Sequence, residues 1–187
     1  MRIISGFARG SKLTAPSGGN TRPTADMVRE ALFNILAEKV QHARVLDLFA
    51  GSGAVGLEAL SRGASFTVFA DKSGGAVSAI RQNIEKLRVL DKSYVIQAEA
   101  VKAAAICAKE RYLFDIVYLD PPYGAGLIAK AIAAVKEYGL LAPGAVVIAE
   151  SGSDEKHEYP GFHAGDVRRY GGTALNFINA ETIMEAQ

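Results

Sequence analysis

The chain has 187 residues, with 21 Lys and Arg against 20 Asp and Glu, and a single cysteine. One cysteine excludes an intramolecular disulfide and a thiolate zinc site, and no apolar run approaches the ~20 residues that span a bilayer. An apolar content of 49% suits one globular, soluble domain with a short appendage rather than a disordered chain.

Charge is uneven. Residues 1–44 carry seven basic residues against three acidic ones, and none of the acids precedes Asp26. A basic N-terminal segment on a mildly acidic body suits an arm for a polyanion, or else a solvated terminus poor in acids. Residues 1–23 are therefore expected to form a basic hairpin or arm, and 24–187 the main domain. Ile3-Ile4 and Lys12-Leu13-Thr14 read as the two hairpin strands around Gly6 and Gly10. The Gly- and Pro-rich stretch 16–23 reads as a loop, and Thr24 as the cap of a helix reaching about Glu38.

From residue 44 the pattern alternates. Strands are predicted over 44–49, 66–70, 94–96, 114–119 and 144–149. Helices are predicted over about 54–62, 75–88, 101–111 and 127–138. Repeated β-α units imply a mostly parallel sheet covered on both faces. Strands at 166–170 and 174–178, joined by Gly171-Gly172-Thr173, imply a closing antiparallel hairpin.

Asp47-Leu48-Phe49-Ala50-Gly51-Ser52-Gly53 links the first of these strands to a helix. Gly51 and Gly53 permit a tight turn and close approach of a ligand to the backbone, and the helix N-terminus favours an anionic group. Gly51-x-Gly53-x-x-Gly56, with Asp71 twenty residues after Gly51, also satisfies the dinucleotide fingerprint, so an NAD-linked oxidoreductase competes. Asp47 tilts the choice. A carboxylate beside the loop repels a diphosphate but accepts hydrogen bonds from a cationic amino group, which S-adenosylmethionine carries.

Asp120-Pro121-Pro122-Tyr123 follows the fourth strand, at the same edge of the sheet. Two prolines withhold donors and stiffen the loop, leaving the Asp120 carboxylate and the proline-stretch carbonyls as acceptors. Tyr123 adds an aromatic face on which an unstacked base can rest. That set suits methylation of an exocyclic amine. Such a nitrogen is a weak nucleophile, so orientation and offset of developing positive charge matter more than proton removal.

Asp47 to Gly53 together with Asp120 to Tyr123 resemble the amino-methyltransferases of nucleic-acid bases. The segment 21–36, TRPTADMVREALFNIL, with the opening MRIISG and the closing YGGTAL, resembles the RsmD family, bacterial 16S ribosomal RNA guanine-N2 methyltransferases. The resemblance implies a seven-stranded S-adenosylmethionine-dependent methyltransferase sheet with a small N-terminal extension. It implies an enzyme acting on 16S rRNA within the small subunit or an assembly intermediate; the lone cysteine suits a reducing, cytoplasmic home, and the chemistry needs no metal. Asp47, Phe49, Gly51, Gly53, Asp71, Glu99 and Thr24 are the implied cofactor residues. Asp120, Pro121, Pro122 and Tyr123 are the implied catalytic ones, and Arg2, Arg9, Lys12 and Arg22 the RNA contacts. The chain departs from the family in Ala98-Glu99-Ala100 for Gly-Asp-Ala, in Asp71 where glutamate is commoner, and in Gly172 for an aspartate.

Other residues carry less. Cys107 lies in an alanine-rich helix and reads as core rather than as a nucleophile. His42, His157 and His163 lack metal-ligand spacing. A DNA adenine-N6 methyltransferase and a non-catalytic RNA-binding assembly factor stay open, because Asp-Pro-Pro-Tyr does not itself name the base.

Overall fold

A computed structural model describes residues 1–16, 23–122, 126–155 and 165–179, with the side chains of 23–25 and 179 set aside. In chain order the elements are α1 (Pro23–Leu36), β1 (Arg44–Leu48), α2 (Ala54–Ser61), β2 (Phe66–Asp71), α3 (Gly74–Leu87) and β3 (Ser93–Gln97). There follow α4 (Ala100–Lys109), β4 (Phe114–Leu119), α5 (Leu127–Glu137), β5 (Leu141–Gly152), β6 (Val167–Tyr170) and β7 (Thr173–Asn179). The strands form one sheet in the order β3-β2-β1-β4-β5-β7-β6. Strands β1 to β5 run parallel, while β7 is antiparallel to β5 and to β6.

Side-chain alternation builds two cores. Val45, Phe69, Ile116 and Ile148 face α1, α2 and α3. Leu46, Val68, Val117 and Val147 face α4 and α5, where Ala103, Cys107, Ile132 and Val135 meet them. Both faces of the parallel strands are covered, which explains their unbroken apolar runs. Cys107 is fully buried, as its alanine-rich helix suggests. Because the chain leaves β1 for β2 and β3 and then returns to β4 on the other side, the order reverses between β1 and β4. Their carboxyl ends form the crevice where such sheets bind ligands.

Three local expectations are corrected. α1 begins at Pro23, whose fixed φ suits a first helical position, so Thr24 lies inside the first turn instead of capping it. β5 starts at Leu141 rather than 144, its register with β4 shifting between Phe114 and Ile116. The N-terminal hairpin forms but is shorter than expected, with one antiparallel bridge, Arg2 to Lys12, and backbone bonds from Ile3 to Ser11, Gly10 to Ile3 and Leu13 to Met1. The reason is competition for donors. The backbone N–H groups of Ile4 and Ser5 donate to the Glu58 carboxylate, at 2.7 and 2.9 Å, instead of to a facing strand.

That segment is docked on the domain. Ile3, Ala8 and Leu13 enter the core under α1 and α2. Glu58 is fully buried, receives Arg62 Nε at 2.7 Å, and lies 3.8 Å from Arg29 Nε. Arg29, also buried, donates from Nη2 to the Arg2 carbonyl at 2.6 Å. Two guanidiniums and two backbone donors thus compensate one buried carboxylate. Asn83 binds Thr14 through both backbone groups and reaches the Ser52 carbonyl at 3.0 Å, fastening the segment to the glycine loop. Among the described residues no helix is long and apolar enough to cross a membrane.

Candidate active site

The turn after β1 is held by donors and by backbone conformation. Phe49 and Ala50 both donate their N–H to the Ala70 carbonyl, at 3.0 and 2.9 Å. Phe49 has φ +74, a conformation that costs a bulky residue about 1–3 kcal/mol and that tends to gather at functional sites. Gly51 (φ +57) and Gly53 (φ +77) take left-handed conformations that only glycine adopts freely, and Gly53 opens α2. The third glycine has a packing role, since a Cβ on Gly56 would lie 2.4 Å from the Phe69 ring.

Two aspartates brace this turn from behind. Asp71 Oδ2 accepts the Gly51 N–H at 2.9 Å, and Oδ1 accepts that of Ser73 at 2.8 Å. Each oxygen keeps a second lone pair, so Asp71 can fix the loop and still meet a diol. Asp47 Oδ2 accepts the Gly56 N–H in the first turn of α2 at 3.0 Å. The Asp47 carboxyl is raised from 3.8 to about 7, chiefly by burial, with the Gly56 bond opposing the rise and the charge of Asp71 adding to it. A buried carboxylate in that condition gains from a cation, such as an α-amino group, placed beside it.

Past the end of β4, Asp120 stands open to the crevice, with Pro121 buried behind it and Pro122 exposed. Across the sheet order its neighbour is Glu150, near the end of β5, where Leu119 pairs with Ala149. The Tyr118 hydroxyl donates to Glu150 Oε2. Loss of surrounding water, then the charges of Glu150 and Asp47, push the Asp120 carboxyl well above the usual range. Burial likewise pushes Glu150 up, while the Tyr118 hydroxyl opposes that rise. Carboxylates crowded this way do not all ionise at neutral pH unless a ligand supplies donors or positive charge.

Two cavities meet at this pair. One, of about 600 Å³, runs from Phe49 and Gly51 past Asp71, Lys72, Ala98 and Glu99 to Asp120, Pro122 and Lys130. The other, of about 390 Å³, lies between the glycine loop, Met1, Pro16 and Arg29, and reaches Asp47 and Tyr118. Phe49, Gly51, Asp120 and Glu150 wall both. The larger volume suits the nucleoside part of a ligand along the strand ends; the smaller one, which Asp47 lines, receives that ligand's polar tail and, at the shared wall of Asp120 and Glu150, a second reactant.

The structure thus brings together Asp47, Phe49, Gly51, Gly53, Asp71, Glu99, Asp120, Pro121 and Pro122. Glu99 lines the larger cavity but is exposed, and its 3.9 Å contact with Lys72 is a weak surface pair. Arg2, Arg9 and Lys12 are exposed on the docked N-terminal segment. Tyr123 and Arg22 lie outside the described residues, as does the side chain of Thr24. Sequence reasoning missed Glu150 and Arg29. Glu150 was within reach, because it directly follows the predicted strand 144–149, as Asp120 follows the strand 114–119. Arg29 looked like an ordinary charge on a helix.

A parallel sheet with a glycine turn after β1, an acid ending β2 and an acceptor cluster after β4 defines the class of Rossmann-like S-adenosylmethionine-dependent methyltransferases. The model of the family described as Conserved hypothetical protein 95 matches residues 1–179. Ribosomal RNA small subunit methyltransferase D of Escherichia coli strain K12 is 38% identical over 151 residues, covering 81% of this chain and 74% of that protein. Its Haemophilus influenzae counterpart is 34% identical over 159 residues, covering 83% and 80%. The solved structure of Escherichia coli yhhF superposes with a TM-score of 0.81 at 32% identity, covering 96% of this chain and 97% of that one. A Thermus thermophilus 16S rRNA guanine-N2 methyltransferase, RsmC, solved with AdoMet and guanosine, shares the fold at TM-score 0.72 and 23% identity, over 88% of this chain and 45% of that one. The chain belongs to the ribosomal RNA small subunit methyltransferase D (RsmD) family.

Proposed function

We propose that the chain transfers a methyl group from S-adenosylmethionine to the exocyclic N2 of a guanine in small-subunit ribosomal RNA. The observation that carries this reading is the meeting of two cavities at Asp120, directly after the strand beside the glycine loop. The donor supplies an electrophilic methyl on a sulfonium. The chain's residues do the rest by placement. Asp47 holds the donor's α-amino group, Asp71 its ribose, Glu99 and Phe49 flank its adenine end, and Gly51 and Gly53 let it lie against the backbone.

On the acceptor side, Asp120 and the Pro121 carbonyl take the two hydrogens of the amino group and turn its nitrogen toward the methyl. Tyr123 is assigned to stack on the extruded base. The nitrogen lone pair forms the new N–C bond, the C–S pair leaves with sulfur, and one amino hydrogen departs as a proton through the acceptor carboxylates. Negative charge at Asp120 offsets the positive charge that grows on nitrogen. Arg2, Arg9 and Lys12, exposed on the docked segment, form a basic edge for the RNA backbone, within the small subunit or an assembly precursor, and Arg22 is assigned the same role.

Asp120→Ala tests the assignment. Turnover is expected to vanish while the donor's Kd, measured calorimetrically, stays within a few-fold. Lost donor binding with normal turnover at saturation would contradict it.

A further inference from the structure

We infer that Glu150 reads the target base, its carboxylate accepting the guanine N1–H while Asp120 holds the adjacent amino group. This rests on the guanine-N2 reading above and adds to it the residue that selects the base.

The two carboxylates stand at the ends of adjacent parallel strands, which lie about 4.8 Å apart. Val117 pairs with Val147, Tyr118 with Ile148 and Leu119 with Ala149, so Asp120 and Glu150 follow in register. Glu150, two residues beyond Ile148 in β5, lies on the face of Tyr118, whose hydroxyl it accepts, and Asp120 opens into the same cavities. Both wall the two cavities where these meet, and the acceptor is placed at that junction. Glu150 is held in position, because the buried Tyr118 hydroxyl occupies one of its lone pairs and leaves others for the cavity. No cation of the described residues forms an ion pair with Glu150.

A pair of acceptors needs a ligand edge with two neighbouring donors. Guanine offers N1–H beside its N2 amino group. Adenine and cytosine also carry an exocyclic amine, but the ring nitrogen beside it is an acceptor, whose lone pair would face Glu150. The same motif that holds any amino-bearing base becomes selective for guanine once a second carboxylate stands beside it. Guanine's two donors also relieve the crowding of the two acids, which a single donor cannot do. Tyr118 acts as a positioning residue for Glu150.

The test uses small subunits whose target guanine, once mapped, is replaced by 2-aminopurine through ligation of a synthetic segment. That base keeps the 2-amino group but presents an acceptor at N1. The wild-type enzyme should prefer guanine by about 100-fold in kcat/KM, within the range expected for a base-edge contact. Glu150→Gln, whose amide can donate to N1, should narrow that preference at least ~10-fold while the donor's Kd is unchanged. Tyr118→Phe, which frees Glu150 without removing it, should narrow it less and mainly raise KM for the RNA. An equal loss on both substrates with Glu150→Gln, or a change confined to donor affinity, would overturn the role of Glu150. Failure of the wild type to form N2-methylguanosine on native subunits would instead overturn the reading beneath it.

Discussion

Asp47 offers a quantitative test of the donor site. Its carboxyl is buried at the head of α2 and raised from 3.8 to about 7. In the unfolded chain it ionises near 3.8, whereas the donor-free fold keeps the proton until about 7. Between those values the unfolded state binds fewer protons, so stability is full below about 4, falls as pH rises, and levels off above about 7. The displacement corresponds to a ceiling of about 4 kcal/mol, at about 1.4 kcal/mol per tenfold change in proton affinity. Asp47→Asn keeps an acceptor for the Gly56 N–H but cannot titrate. The melting temperature of the variant relative to wild type should therefore climb between pH 4.5 and 7.5, by up to about 10 °C in a chain of this size. Donor binding should weaken about tenfold or more, since a charge-assisted bond to the α-amino group is lost. Parallel melting curves across that range, with unchanged donor affinity, would refute the assignment of Asp47.

Two further perturbations probe the N-terminal segment. Glu58→Ala leaves the buried Arg29 guanidinium only its 3.1 Å contact with the more exposed Asp26 and strips the acceptor from Ile4, Ser5 and Arg62, so it should cost about 3 kcal/mol; an unchanged denaturation midpoint would show that the segment is not latched there. The double change Arg9→Ala with Lys12→Ala, at exposed positions, should weaken RNA binding and reduce the logarithmic salt slope by about 2, one unit for each lost phosphate contact. Unaltered affinity and slope would remove these residues from the RNA interface.

The parts of the molecule written locally were legible in the sequence. Strand runs with a single period, the glycine turn and Asp120-Pro121-Pro122 each lie within a few residues, and the register of five parallel strands brings them to one edge. What escaped depends on partners far apart in sequence. Glu58 sits in an otherwise apolar α2, and nothing nearby announces that it will accept two backbone donors 54 and 53 residues away. That acceptor is why the hairpin is short and fastened to the domain. Arg29 is buried for the same reason. Glu150 falls between these cases. The β5 run was visible, but its functional end emerges only when β5 is known to lie next to β4, because strand order is not encoded in any single segment.

Methylation of a ribosomal guanine at N2 is tested most directly by transfer of labelled methyl from S-adenosylmethionine to unmethylated small subunits, free ribosomal RNA and duplex DNA side by side, followed by digestion to nucleosides. Label is expected in N2-methylguanosine from the ribosomal substrates, strongest in the small subunit or its precursor. Label in N6-methyladenine from DNA, or none on any substrate while the donor binds, would contradict it.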